Sequence, residues 1–586
     1  MTIKNRIKIG VPVFLTLILI ASAGWAGVKN PDTFVEATRN SIESLDPHFM
    51  LSTATTCIAF NVFDSLLLSN PGSESLSPGL STTVPSMKNG LVRVDSSGKT
   101  DITFPIRKGV KFHDGSLLQP EDVKYTLTRA IIAGSKYNLC QPLTGEGSFK
   151  KLSGRLGLEK AYEVIDKAIT IDKDSVTFHL PKPFSPFLYI LGDNGTAYGI
   201  MSKKWCAAQG AWPGTPETLK AFVSLTADKN ALTDKMMGTG PFKLESWQKG
   251  DRLILTRFDS YWRGKAKLKR VVRKVMTDNA VSVQYLKTGD ADFFVMSLAD
   301  LPQLEGYKGV RVVKDIPSAQ LIKMNFNFDI HRDKYIGSGR LGTDGAPRDL
   351  FNDIDMRKGF CFAFDYKTFI NDVVLGAGKK PYGPVLIGFP TANPDNPQYT
   401  FDLEKAKVHL KKAQGGKVWE KGFKLTIPYN AGSVHRQRAL ELLKYNLNRI
   451  NPKFQLEITS LPWAAYLGAI NDKSIPMSIF GILPKYRHPY AALSYHMGST
   501  DFYADVKGYT DLARQKYDPL IQELSSTYDL ARVKRLSHKL QRYSHEDALA
   551  IFHYQVIGQV AMREWVKGYE PQMFPFLVDY YRISKE

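Results

Sequence analysis

Phe104-Pro105-Ile106-Arg107-Lys108-Gly109-Val110-Lys111-Phe112-His113-Asp114-Gly115, followed by Pro120-Glu121-Asp122-Val123 and closing with Arg129, is the stretch on which the reading of the fold turns. His113 and Asp114 invite comparison with an acid/base pair, but neighbouring residues on a strand point to opposite faces. With Gly115 they read as turn chemistry, the aspartate bonding backbone and the glycine taking the unusual dihedral. Pro120 then opens a helix, where proline is tolerated, and Glu121 and Asp122 complement the positive end of its dipole. Val123, Leu127, Ala130 and Ile131 recur at helical spacing and form its buried stripe.

The same alternation extends outward in both directions. A second helix is expected from near Asp355, with Met356, Phe360, Ala363 and Phe364 on one face, ending before Gly376. A third is capped by Asp402, buries Leu403, Ala406, Leu410 and Ala413, and stops at Gly415-Gly416. A fourth runs from Ser433 towards Ile450, with Ala439, Leu443 and Leu447 facing inward. Strand-like runs at 176–180, 253–257, 321–326 and 423–427 lie between these helices, so the fold class is α/β.

At the start of the chain Lys4, Arg6 and Lys8 precede an apolar stretch too short to span a bilayer. Small residues follow, with A-x-A sites ending at Ala23 and Ala26, and together these predict a cleaved secretory signal. No cysteine stands at that site, so a free periplasmic protein is expected rather than a lipid-anchored one. The remainder, roughly 560 residues, is too long for one hydrophobic core. The formal net charge is +21, and the signal carries three of those positive charges. The basic residues are scattered along the chain, which disfavours nucleic acid as a partner. Their densest cluster, 265–274, alternates with Ala, Leu and Val like a strand with one wet face.

Cys57, Cys140, Cys206 and Cys361 show no CxxC pair and no zinc spacing, so neither a metal nor a cofactor is expected. Cys140 and Cys206 lie in polar, loop-like sequence and are the pair expected to form a disulfide in an oxidising compartment. Gly337-Ser338-Gly339-Arg340-Leu341-Gly342 matches GxGxxG by letter, yet Thr343-Asp344-Gly345-Ala346-Pro347 cannot open the phosphate-binding helix that the motif requires. A loop is expected there. No nucleophile elbow, P-loop or HExxH occurs, and no catalytic residue is assigned.

Taken together, several segments resemble the large periplasmic solute-binding proteins that serve dipeptide, oligopeptide and nickel importers. Besides the 104–129 stretch they are Ser44-Leu45-Asp46-Pro47-His48, Val62-Phe63-Asp64-Ser65-Leu66-Leu67, Gly238-Thr239-Gly240-Pro241-Phe242, Asp259-Ser260-Tyr261-Trp262, Gly289-Asp290-Ala291-Asp292, Met356-Arg357-Lys358-Gly359-Phe360 and Gly383-Pro384-Val385. The resemblance implies a two-lobed clamp of the periplasmic-binding-protein kind. Lobe I would comprise 27–316 and a return segment 525–586, with an extra subdomain at about 60–200, and lobe II would be 317–524. It further implies a monomer that closes on a solute between its lobes and delivers it to an ABC permease and ATPase in the cytoplasmic membrane.

The resemblance also locates a ligand stretch, and this chain departs from it. Peptide-binding members carry a Trp, two arginines, a Gly-Trp element and an aspartate for the peptide's ammonium group. Aligned from Trp463, this chain places Ile470 and Ile479 at the arginines, Gly481 and Ile482 at the Gly-Trp positions and Lys485 at the aspartate. Trp463, Gly481, Ile482 and Lys485 are therefore the expected ligand-binding residues, suited to an anionic or N-blocked peptide-like solute. The alternatives are an oligosaccharide or other non-peptide solute, and a sensor or chaperone role for the same clamp.

Overall fold

The computed structural model describes residues 28–586 apart from 40, 50–52, 71–72, 74, 135–138, 193–197, 227–228, 485 and 573–576. The expected signal segment and Lys485 lie outside the described residues. Buried apolar side chains separate into two large cores. One gathers residues from Phe34 to Ile316 and again from Val560 to Ile583; the other gathers residues from Ala319 to Ile551.

A single mixed sheet joins the two bodies. Its strands run in the order Met477–Ile482, Val310–Phe326, Ala550–Arg563, Phe293–Met296, Thr33–Thr38, Arg270–Val275, Arg252–Arg257 and Phe242–Gln248. Val310–Phe326 and Ala550–Arg563 pair antiparallel and pass from one core to the other. Their ladder is irregular at the crossing, with register shifts between Val313 and Ile316, between Pro317 and Leu321, and between Ile322 and Lys323. Asp315, at φ 61°, occupies the left-handed region that side chains other than Asn, Asp and Gly rarely adopt. Broken pairing of this kind bends a strand and loosens the ladder locally.

The first body carries a separate antiparallel sheet, Val92–Val94, Thr100–Pro105, Ser175–Leu180 and Ile169–Asp172, against which Pro120–Ile132 packs. The second body holds the parallel pair Phe423–Asn430 and Phe454–Leu461 and the helices Ile354–Ala363, Leu403–Lys412 and Val434–Ile450. Helix Leu530–Glu546, expected with the first lobe, contributes Val533, Leu536 and Leu540 to the second core.

The quoted sequence segments meet as buried polar staples. Asp46 receives a two-pronged bond from Arg129, at 2.9 and 2.5 Å, with both side chains fully buried. Asp64 accepts from Thr239 Oγ1 at 2.8 Å, Tyr261 Oη at 2.9 Å and Trp262 Nε1 at 3.0 Å. Arg357 donates to the carbonyls of Phe351, Asn352 and Asp547. His113 donates through Nε2 to Gly240 O at 3.0 Å and accepts at Nδ1 from Gly238 N, so both ring nitrogens are used by backbone. Burial pushes its pKa down to about 4, which keeps this neutral arrangement at ordinary pH. Asp114 Oδ1 accepts from Ser116 N, and Gly115 has φ 88°, as turn chemistry requires.

Several expectations need correcting. All four cysteines are free thiols. Cys140 opens the short helix Cys140–Thr144 and contacts the Thr144 hydroxyl, while Cys206 sits on Lys203–Ala208, and both are buried in the first core. Polar neighbours in sequence suggested loops, but packing of short helices placed both thiols inside. Gly337–Gly342 is a strand that doubles back on Gly345, not a loop. The helix expected from Asp355 starts at Ile354 under an Asp353 cap and ends at Ala363, where Asp365 caps a new turn, Tyr366–Thr368. Of the 265–274 cluster only 270–274 is strand, part of Arg270–Val275, and Arg273 is buried against Glu36 at 3.0 Å.

Candidate functional site

The two bodies meet beside the strand Met477–Ile482, which is the last of the large sheet. Its ladder partner is Val310–Phe326, just past the irregular crossing. Trp463 begins the helix Trp463–Asn471, and its ring lies nearly parallel to Phe480, 6.2 Å away, while remaining 47% exposed. Gly481 lies opposite Ile322, and a Cβ there would come within 2.9 Å of Ile322 Cδ1 and 3.0 Å of Leu321 O, so only glycine lets the strands approach this closely. Ile482 ends the strand opposite Leu321. Three of the four expected residues thus share one place, the strand end and the aromatic beside it. Ile470 and Ile479, the positions expected to align with arginines of peptide binders, are buried.

The outer edge of this strand is occupied by tyrosines. Tyr466 Oη donates to Ile479 O at 3.2 Å and accepts from Ile479 N at 2.8 Å, which shows that this residue's backbone points away from Met324. By the period of two, Gly481 points the same way, and its carbonyl accepts from Tyr503 Oη at 2.9 Å.

Beyond the strand, 486–490 reaches the first body. Arg487 Nη1 donates to Asn70 O at 3.1 Å, His488 packs its ring 5.0 Å from Tyr189, and Tyr490 meets Phe184 edge-on at 5.2 Å. Ser185 N donates to Ser525 O at 2.7 Å, a second bridge between the bodies. His488 is buried, accepts at Nδ1 from Tyr490 N, and is held neutral by a pKa that burial pushes down to about 3.

Beneath Phe480 lies a group of buried basic side chains that sequence reasoning missed. Lys323 is directly opposite Phe480 in the ladder. Its Nζ is 3.7 Å from the Tyr503 ring centre and bonds His496 Nδ1, and His496 Nε2 meets Ser544 Oγ at 3.1 Å. Burial and the nearby Lys507 hold Lys323 well below the usual lysine range, and burial alone pushes Lys507 down to about 7. Nothing in the linear pattern marked them, because Lys323 is one of several polar residues along the strand Val310–Phe326 and Lys507 ends a short helix. Among the described residues no group of three or more His, Cys, Asp or Glu side chains is placed to hold a metal, and no helix is long and apolar enough to cross a membrane.

Two bodies joined by two irregular strands, with aromatic and polar side chains where they face one another, define a two-lobed solute-binding clamp. The family model for bacterial extracellular solute-binding proteins, family 5 (middle), matches residues 79–504, and the chain belongs to that family. The dipeptide-binding protein of Escherichia coli (strain K12) is 27% identical over 580 residues, covering 95% of each chain. Heme-binding protein A of Haemophilus influenzae is 23% identical, covering 93% of this chain and 91% of that one. The solved structure of HbpA2 from Haemophilus parasuis has the same fold, at a TM-score of 0.72 and 20% identity, covering 94% of this chain and all of that one.

Proposed function

We propose that this protein is the periplasmic substrate-binding component of an ABC importer, and that it closes on a peptide-like solute carrying an anionic or blocked end. The observation that carries this reading is the crossing itself. Two strands connect the bodies, and their ladder is broken where they cross. Hinge closure needs such an element, and a solute touching both bodies stabilises the closed state by contacts the open state cannot make. The lobe division we propose follows the cores: residues up to about 316 and from about 556 onward in lobe I, with 317–555 between them.

A peptide-like ligand is supported by the dipeptide-binding relative and by the aromatic side chains at the strand end. The two relatives' names specify different ligands, a dipeptide and heme, so the chain's own residues must select. They include Ile470 and Ile479 where peptide binders resemble one another in carrying arginine, and Lys485 in place of an ammonium-binding carboxylate. A charge of that sign repels a free peptide amine. Export follows in this reading from the signal-like segment, with a monomer delivering its solute to the permease. The test is native mass spectrometry of protein taken from the periplasm of its own cells. A small co-purified solute with a carboxylate or blocked amine, and an N-terminus at residue 24 or 27, are the expected results; a retained Met1, or chemical turnover of the bound solute, goes against the reading.

A further inference from the structure

Among the described residues, the guanidinium of Arg436, at this end of the second body, is paired with no carboxylate. Arg436 stands in the first turn of helix Val434–Ile450, half-buried, with Cζ 5.7 Å from the Trp463 ring centre and 5.9 Å from that of Tyr466. Among the described residues its one hydrogen-bond partner is Asn430 Oδ1, at 2.5 Å. Two positions on, Arg438 is matched by Glu441 at 2.9 Å, so the helix supplies an acid to one arginine and not to the other.

The placement is also electrostatically unfavourable. A cation in the first turn opposes the positive end of the helix dipole, and this helix has no acidic residue in that turn and no side-chain cap. Helix Trp463–Asn471, which starts at the neighbouring ring, likewise has no first-turn acid and no side-chain cap. The field of Arg436 reaches the hydroxyls of Tyr466, Tyr503 and Tyr554, on the strand edge and on the crossing strand. Among the described residues, its surroundings hold a positive charge and aromatic faces and no paired anion.

We infer that Arg436 and Trp463 form a specificity subsite that takes a carboxylate attached to an apolar or flat group, the guanidinium gripping the carboxylate and the indole covering its neighbour. Arginine is suited to this, because its planar fork matches both carboxylate oxygens while its face lies against an aromatic ring. Asn430 Oδ1 accepts from Nη1 and holds one arm of the fork. The subsite supplies from a different helix the positive charge absent at Ile470 and Ile479. The inference rests on the reading of this face as the solute cleft.

The probes are N-acetyl-dialanine with a free C-terminus, its C-terminal amide, and amidated N-acetyl-glutamyl-alanine, measured by calorimetry and tryptophan fluorescence against the full mature chain. The expected result is at least tenfold tighter binding of a carboxylate probe than of the neutral amide. The first probe reports a terminal carboxylate and the third a side-chain one. In Arg436→Gln that preference disappears while the melting temperature holds, Arg436→Lys retains part of it, and Trp463→Phe loses the fluorescence change. Equal wild-type affinity for amide and carboxylate, or a preference surviving Arg436→Gln, overturns the subsite and leaves the clamp standing. Failure of all three probes to bind wild type overturns the peptide-like reading and the subsite with it.

Discussion

Lysine 507 illustrates how much a single residue can cost. Its Nζ is buried and, among the described residues, has no hydrogen-bond partner, and burial pushes its pKa down to about 7, against about 10.4 in the unfolded chain. Between those values the unfolded chain binds more protons than the folded one, so this group makes stability rise with pH from about 7 to about 10. Methionine fills similar space without a charge. Lys507→Met is therefore expected to stabilise the protein by on the order of 3 kcal/mol at pH 7, with the advantage shrinking towards pH 10. Urea titrations of both proteins at pH 7 and pH 9.5 check this; equal stability at pH 7 would show that water or an anion reaches the amine. The paired residues differ in kind, since Asp46, held by Arg129, has its carboxyl lowered to about 2 despite full burial.

Among the elements, the helices of the second body pack through a missing side chain. On Ile354–Ala363, Gly359 faces Leu410 of Leu403–Lys412, and a Cβ at 359 would lie 2.5 Å from Leu410 Cγ. Both residues are buried, so the clash cannot be turned into solvent. Gly359→Ala is expected to destabilise by about 1–3 kcal/mol, and adding Leu410→Ala should recover part of that loss, because the two sites share one space. Thermal unfolding of the two single variants and the double variant measures the coupling; simple additivity would mean that the helices shift apart freely. The element ends were partly legible for a physical reason. Asp402 and Pro120 begin helices where their chemistry predicts. The apolar period of Met356, Phe360 and Phe364 runs on past the place where the backbone turns, because Phe364 stays in the core after the helix has ended.

For the whole molecule, the bodies touch through few groups away from the crossing strands. Arg487 to Asn70, Tyr189 with His488, Phe184 with Tyr490, and Ser185 to Ser525 are among the bridges. Each is a polar or edge contact that on its own contributes about a kcal/mol, comparable with the balance between open and closed states in clamps of this type. Arg487→Ala is expected to enlarge the radius of gyration of the ligand-free protein while leaving its circular dichroism unchanged, and a saturating solute should restore compactness. Small-angle scattering decides this, and a radius unchanged by the substitution would place the resting closure elsewhere, in the crossing strands.

By itself the sequence determined the α/β class, the order of the main helices and strands, and the turn at His113-Asp114-Gly115. These are local matters of periodicity, capping and turn chemistry, or of short segments standing in a familiar order. Only the tertiary structure decided that Asp64 gathers Thr239, Tyr261 and Trp262, that Cys140 and Cys206 are separate buried thiols, that helix Leu530–Glu546 contributes to the second core, and that Lys323 and Lys507 are buried near one another. Each joins residues far apart in the chain, or turns on which face of an element is covered. Burial and charge compensation are set by what packs opposite a side chain, and a linear pattern does not carry that information.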